Sequence, residues 1–177
     1  MSFTLALAAA AYLVIAVYIF ARRKPGYSHI RHTISELGEH RSIDSRVVSY
    51  GIFLPVGVLL LGVAGLAFSA HPAYAMLALS ISVGYLVAAV FPCDPGSPVV
   101  GSLRQAVHNI GGAIQYLGGA ASLMWISQSS GNGFQIAATV VLAALPGLSF
   151  ANRIRGISQR IAETTLFAGL CYALWSM

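Results

Sequence analysis

Six long apolar segments constrain the fold of this chain more than any other feature. Stretches rich in Arg, Pro, Gly, Ser or Asn separate them, and they cover residues 3–21, 47–68, 73–91, 107–126, 134–150 and 161–175. Because roughly 20 helical residues cross a hydrocarbon core about 30 Å thick, each segment has about the length of one crossing. The sequence predicts an all-α polytopic membrane protein, with six transmembrane helices in a single bundle domain over residues 1–177. Pro146 and Arg160 are expected to shorten the fifth and sixth helices.

The composition excludes the other broad classes of protein. Hydrophobic residues make up 57% of the chain and charged residues 8%, with a mean hydropathy of +0.76, whereas soluble domains carry about 25% charged residues. Disorder requires low hydrophobicity, which this chain lacks. The two cysteines, Cys93 and Cys171, form no CxxC motif, so neither a disulfide framework nor a thiolate metal site is expected.

The ten basic residues lie at one side of the predicted membrane. They are Arg22, Arg23, Lys24, Arg31, Arg41, Arg46, Arg104, Arg153, Arg155 and Arg160. Positive charge is retained on the cytoplasmic side, which predicts an inner-membrane protein with a long cytoplasmic first loop and both termini outside. We therefore attribute the net charge of +5 to membrane topology, and no nucleic-acid partner is expected.

The first loop contains a candidate amphipathic helix. Ile30, Ile34 and Leu37 recur on one face, while His32 and Glu36 lie on another. This pattern predicts a short interfacial helix in the first cytoplasmic loop. The polar face has two open interpretations: it contributes to a site, or it is simply hydrated among the headgroups.

A second polar group surrounds the end of the third segment. Asp94 lies in a Phe-Pro-Cys-Asp-Pro-Gly turn, and His108 follows 14 residues later, about one turn inside the fourth helix. The two side chains are expected to meet. The alternatives are that Asp94 caps its own turn and that His108 is bonded to a neighbouring helix.

The fourth and sixth helices carry further polar residues. Arg104, His108, Gln115 and small residues recur at helical spacing on the fourth helix, so this face should contact protein rather than lipid. The glycine pairs at 111–112 and 118–119 are explained by close helix packing. In the sixth helix, Arg160 and Glu163 stand three residues apart and are expected to pair with each other.

These residues converge on one hypothesis, a polar pocket that opens to the inner leaflet or the cytoplasm. The predicted catalytic residues are His108, Asp94 and Glu36. The predicted substrate-binding residues are Ser35, Arg104, Arg160 and Gln115, with the arginines as anion clamps. The candidate metal ligands are His32, Glu36, Asp94 and His108; the cofactor is otherwise unknown, and a divalent metal such as zinc is compatible with this set.

The blocks Ile-Ser-Glu-Leu-Gly at 34–38 and Phe-Pro-Cys-Asp at 91–94, with His108 and the segment 156–160, resemble the domain of unknown function 998 family of prokaryotic membrane proteins. The resemblance covers nearly the whole chain. It implies a six-helix inner-membrane protein and gives no activity. A more distant similarity is to membrane hydrolases of the ceramidase and adiponectin-receptor type, which hold zinc near the cytoplasmic leaflet, although this chain has no histidine after His108.

The resulting functional hypothesis is a pocket that binds a lipid or amphipathic small molecule, with hydrolysis, by metal or by Asp and His, left open. The alternative is a non-catalytic accessory or assembly subunit of a membrane complex. The expected partners are membrane lipids, and in addition either a second copy of the chain or a membrane complex.

Overall fold

The structure, a computed structural model, describes residues 1–150 and 153–176. That part of the chain is all-helical and contains six long helices. They are α1 Ser2–Arg23, α2 Ser45–Ala67, α3 Pro72–Val90, α4 103–130, α5 Asn132–Phe150 and α6 Arg155–Trp175. Of these, α1, α2, α3 and α5 are long and apolar enough to cross a membrane. The prediction of an all-helical membrane protein is confirmed.

Helix α6 begins six residues before the sixth predicted segment, and α5 begins two residues before the fifth segment and ends with it at Phe150. Pro146 lies inside α5, which continues to Phe150, and α6 begins at Arg155, more than a turn before Arg160. A proline is tolerated inside a membrane helix because neighbouring helices and local adjustments satisfy the backbone groups that it leaves free. The expected shortening at Pro146 and Arg160 is therefore wrong.

Helix α3 lies in the middle of the bundle. It packs against α2, α4 and α6, while α1 packs on α2 and α6, and α5 packs on α4 and α6. Fully buried aliphatic side chains from several helices meet between them: Leu60, Leu77, Ile81, Leu123, Leu166 and Leu170. These contacts fix the helices relative to one another, which is what positions the site described below.

Three of the four paired glycines of α4 allow close packing, as their spacing predicts, whereas a Cβ atom on Gly112 would meet open space. A Cβ atom on Gly111 would lie 2.6 Å from Val87, and one on Gly118 would lie 2.7 Å from Ser80 Oγ, both on α3. Gly119 faces α6 in the same way. Since real Cβ atoms do not approach other atoms so closely, side chains at these positions would push the helices apart.

Two wide turns interrupt α2 and α4. The π-helical turns cover Ser49–Phe53 and Ile114–Gly118. Next to the first, Pro55 lacks an N–H, and the Gly51 carbonyl four residues earlier accepts a hydrogen bond from the Tyr12 hydroxyl of α1. Such turns change the direction in which nearby side chains point and often occur at functional sites.

The first loop, residues 24–44, folds back onto the end of the bundle. Only Ser35–Gly38 is helical, as a single 3₁₀ turn in which Glu36 and Leu37 are buried, and Ile34 is buried beside it. The predicted amphipathic helix is therefore wrong in form. The loop packs against the protein because its backbone N–H and C=O groups find fixed hydrogen-bond partners there, which lipid headgroups would not provide.

The beginning of α6 is the main docking surface for the first loop. Gln159 Oε1 accepts a hydrogen bond from the Ile34 backbone N–H at 2.5 Å. A Cβ atom on Gly156 would collide with the His32 carbonyl oxygen and would lie 2.6 Å from that of His29. Gly156 is therefore required for this contact.

We expect Gly156→Ala to lower the free energy of unfolding by roughly 1–3 kcal/mol, because its methyl group must displace backbone of the first loop. The matched control is Gly62→Ala in α2, where an added Cβ meets open space; it should be neutral or stabilise by up to about 1 kcal/mol. Reversible unfolding in mixed micelles measures both. Equal effects of the two substitutions would contradict this account of Gly156.

Candidate functional site

Glu36 is held by its own turn. Its Oε1 accepts hydrogen bonds from the Thr33 backbone N–H at 2.8 Å and from Thr33 Oγ1 at 3.1 Å, and its own N–H donates to Thr33 Oγ1 at 3.3 Å. This reciprocal arrangement is that of a capping box. In this structure Glu36 stabilises the first loop, and its Oε1 is committed to Thr33.

Asp94 fixes the second loop, residues 91–102. Its oxygens accept hydrogen bonds from the Ser102 backbone N–H and hydroxyl, each at 2.8 Å, and from Arg104 Nη2 at 2.6 Å. The backbone hydrogen bond from Ser102, followed by the side-chain bond from Arg104, lowers the pKa of Asp94 to about 2. The carboxylate is thus committed to its own loop, and Arg104 to the carboxylate.

His108 joins the end of α3 to α4. Its Nδ1 lies 2.9 Å from the Phe91 carbonyl oxygen. Because a carbonyl can only accept, Nδ1 carries the proton, and Nε2 is left for another partner. His108 and Asp94 do not make the expected contact with each other. His108 bonds to Phe91, and Asp94 bonds to Ser102 and Arg104.

The proposed metal set is not assembled. Within residues 1–150 and 153–176, no group of three or more His, Cys, Asp or Glu side chains could hold a metal ion. The prediction that His32, Glu36, Asp94 and His108 form one ligand set is wrong in this respect. Three of them are engaged locally, and His32 Nδ1 accepts from the Ser28 backbone N–H at 2.8 Å.

Arg160 binds the main chain of the first loop. Its Nη1 donates to the carbonyl oxygens of His29 and His32 at 2.9 and 3.0 Å, and its Nη2 donates to the Tyr27 hydroxyl at 2.7 Å. The planar guanidinium can satisfy several acceptors at once, which suits a turn rich in free carbonyls. The predicted pairing of Arg160 with Glu163 is therefore wrong, and its donors are not directed at a substrate.

Arg155 holds the second loop in the same manner. Its guanidinium donates to the carbonyl oxygens of Gly96 at 2.9 Å, of Ser97, and of Leu148 in α5 at 3.0 Å. The sequence gives Arg155 no role beyond topology. Its contacts with Gly96 and Ser97 join residues almost 60 positions apart in the chain, and sequence spacing does not reveal such contacts.

The two loops are also bonded to each other. Glu39 accepts from Lys24 Nζ at 2.7 Å and from the Gly96 backbone N–H at 2.8 Å. The Cys93 thiol, which is fully buried, donates to the Ser35 carbonyl oxygen at 3.4 Å. Burial raises the pKa of this thiol to about 12. Together these contacts make one continuous roof over the bundle.

A cavity of about 400 Å³ lies beneath this roof. Residues 33–35 and 97–99 of the loops line its top, and α3, α4, α5 and α6 form its walls. Leu117, Leu145 and Leu148 make the side between α4 and α5 apolar, and about half of Leu117 is exposed. This size is sufficient for a small amphipathic molecule.

The cavity separates the predicted residues into two groups. Ser35, His108 and Gln115 line it. Glu36, Asp94, Arg104, Arg160 and His32 do not, because they hold the roof and the loops together. Further polar residues line it: Thr33, Tyr85, Ser97, Asn109, Tyr116, Ser149, Arg155, Gln159 and Glu163.

Glu163 is the central polar residue of the cavity. Its Oε1 accepts hydrogen bonds from Gln115 Nε2 and from the Tyr116 hydroxyl, each at 2.8 Å. The π-helical turn of α4 contains both donors and lets two consecutive side chains reach the same oxygen. Gly84 of α3 makes room for them, since a Cβ there would collide with Gln115 Oε1.

Two polar atoms at this position lack partners. Glu163 Oε2 and the Tyr85 hydroxyl are buried, and neither makes a hydrogen bond of normal geometry within the described residues, although the two side chains lie close enough to interact with each other. Glu163 is 6% exposed and Tyr85 is 4% exposed. A buried polar atom left unpaired costs about 1–3 kcal/mol. Both atoms are therefore ready to bind a group that enters the cavity.

The sequence contained only a partial signal for these residues. Glu163 is conspicuous as an ionisable residue in an apolar segment, and Tyr85 is a hydroxyl in another. Their convergence with Tyr116 could not be predicted, because the π-helical turn and the glycine at 84 set it.

The fold and the cavity define a class, the all-helical membrane proteins with a partly polar cavity under a loop roof. More particularly, residues 6–176 match the family model described as protein of unknown function (DUF998), and the chain belongs to that family. Neither a curated protein nor a solved structure matches the chain.

The Asp94 contacts make a pH-dependent contribution to stability. Because the folded-state pKa is depressed to about 2, this contribution is present above the ordinary Asp pKa near 4 and is lost as the pH falls toward 2. We expect wild type to be more stable than Asp94→Asn at pH 6, and the difference to shrink between about pH 4 and 2. Unfolding midpoints at pH 6, 4 and 2.5 measure it, and a difference independent of pH would refute the assignment.

The roof should protect Cys93 from modification. In a Cys171→Ser background, Cys93 is the remaining cysteine, and a pKa of about 12 leaves it almost without thiolate at pH 8. We expect a water-soluble maleimide to label the folded protein at least about tenfold more slowly than the same protein in SDS. Equal rates in the two samples would show that the loops do not cover the thiol.

Proposed function

We propose that this chain is a six-span inner-membrane protein whose cavity binds a lipid or an amphipathic small molecule. The observation that carries the proposal is the pair of unpartnered buried polar atoms, Glu163 Oε2 and the Tyr85 hydroxyl, inside a cavity with an apolar side. A ligand with a hydrogen-bonding group and an apolar part would bond to these polar atoms and pack against the apolar side of the cavity.

Six crossings and the orientation are part of the same proposal. Helices α4 and α6 have 28 and 21 residues, long enough to cross, and their polar residues largely face protein. The roof end of the bundle carries all ten Lys and Arg residues. The positive-inside rule then favours a cytoplasmic roof, with both termini outside.

The apolar side of the cavity favours entry from the lipid. Ala113 and Leu117 of α4 are exposed next to the cavity, opposite Leu145 and Leu148 of α5. A membrane-dissolved amphiphile could pass between these helices with its apolar part still in contact with hydrocarbon. Both loops, in contrast, cover the roof end of the cavity.

Binding is better supported than hydrolysis. Of the proposed catalytic residues, His108 lines the cavity, whereas Asp94 and Glu36 are committed to loop contacts. The Phe91 carbonyl orients the His108 ring, and neither proposed carboxylate contacts it. We therefore propose a binding protein and assign it no catalytic step.

Filling the cavity should abolish binding without disturbing the fold. Gly112 lines the cavity, and a Cβ there meets open space, so Gly112→Leu can place its side chain in the cavity. We expect saturable binding of tritiated dodecanol to wild-type protein in phosphatidylcholine nanodiscs, and an affinity at least about tenfold weaker for Gly112→Leu. Empty nanodiscs give the background to subtract.

The matched control is Gly65→Leu on the exposed side of α2, where a Cβ also meets open space. It should bind like wild type, and both variants should unfold at wild-type temperature. If wild type shows no saturable binding, or Gly112→Leu binds as well as wild type, the proposal fails. The accessory-subunit alternative, in which the cavity has no ligand, then becomes the better account.

A further inference from the structure

Glu163 is an acid without an ionic partner. Its hydrogen-bond donors, Gln115 and Tyr116, are neutral, and within the described residues it forms no ion pair. Arg160 lies one turn earlier on α6 but donates to the first loop, and Arg155 donates to the second. The nearest arginines of its own helix are thus occupied by backbone carbonyls.

An acidic side chain inside a membrane protein normally has a compensating partner, because leaving it alone in hydrocarbon costs several kcal/mol. Two neutral donors to Oε1 compensate part of the charge, and Oε2 accepts no hydrogen bond of normal geometry. The missing element is a positive hydrogen-bond donor next to Oε2. Arg155 lines the same cavity but donates to the carbonyl oxygens of Leu148 and Gly96, so a ligand that carries such a donor would supply it.

The surroundings suit an organic cation. The aromatic rings of Phe53, Tyr85 and Tyr116 line the cavity, and aromatic faces attract ammonium groups. The Tyr85 hydroxyl, itself without a partner, can accept a second N–H of the same group. An inorganic divalent ion would require several oxygen ligands, and the described residues offer no cluster of that kind.

The apolar side determines the rest of the ligand. Leu117, Leu145 and Leu148 lead from the polar centre toward the space between α4 and α5. An alkyl chain attached to the ammonium could follow this path to the lipid. We propose that the ligand is an amphipathic amine whose ammonium group pairs with Glu163 and whose chain lies between α4 and α5. This inference rests on the proposed function and names its ligand class.

The test compares two probes with the same chain, tritiated dodecylamine and tritiated dodecanol. Both are measured in phosphatidylcholine nanodiscs, whose zwitterionic lipid limits non-specific attraction of the amine. We expect wild type to bind dodecylamine about tenfold or more tightly than dodecanol, because a hydrogen bond to a charged group is worth more than a neutral one. Glu163→Gln, which keeps the size of the side chain, should remove this preference and retain dodecanol binding.

Asp44→Asn is the matched control, because it removes a carboxylate that pairs with Arg23 at the start of α2 and does not line the cavity. It should keep the preference for the amine. Tyr85→Phe provides a second variant should Glu163→Gln fold poorly; it retains the ring and should weaken amine binding severalfold.

The outcomes separate the two proposals. Equal binding of both probes to wild type, or an unchanged preference in Glu163→Gln, overturns the amine assignment while leaving cavity binding intact. Binding of neither probe, or full binding by Gly112→Leu, overturns the proposed function and the amine assignment with it.

Discussion

Hydrogen bonds from two arginines of α6 to loop carbonyls hold this structure together at one end. Arg160 binds the carbonyls of the first loop, and Arg155 binds those of the second. A loop at a membrane surface has many free carbonyls, and a guanidinium can satisfy several of them in one plane. The roof over the cavity depends on these contacts, since the loops contain little helix that could order them otherwise.

The cavity in turn depends on departures from regular helix packing. Glycines bring α4 close to α3 at Gly111 and Gly118, while Gly112 faces open space. The π-helical turn of α4 then directs two consecutive donors at Glu163. The same helix therefore supplies close packing on one face and a polar cavity on another. An unpaired carboxyl oxygen persists there because the surrounding contacts already fix the position of the side chain.

Residues in the sequence blocks at 34–38 and 91–94 have structural roles in this protein. Glu36 closes a capping box, Asp94 fixes the second loop, and Cys93 donates to the backbone of the first. In the sequence, acids near a membrane surface suggest catalysis or metal binding. In three dimensions they satisfy backbone groups of loops that would otherwise remain unpaired. The two buried groups without a regular hydrogen bond in the cavity, Tyr85 and Glu163, come from the interiors of helices.

The sequence by itself determined the helical membrane architecture, the approximate helix positions and the gathering of positive charge, because apolar length and charge position are local properties. It also indicated His108, Ser35 and Gln115 as cavity residues. The partners of Glu36, Asp94 and Arg160 were decided only by the tertiary structure. A polar side chain takes the partner that satisfies it at the lowest cost. Which partner that is depends on how the loops fold onto α6, and neither residue spacing nor composition contains that information.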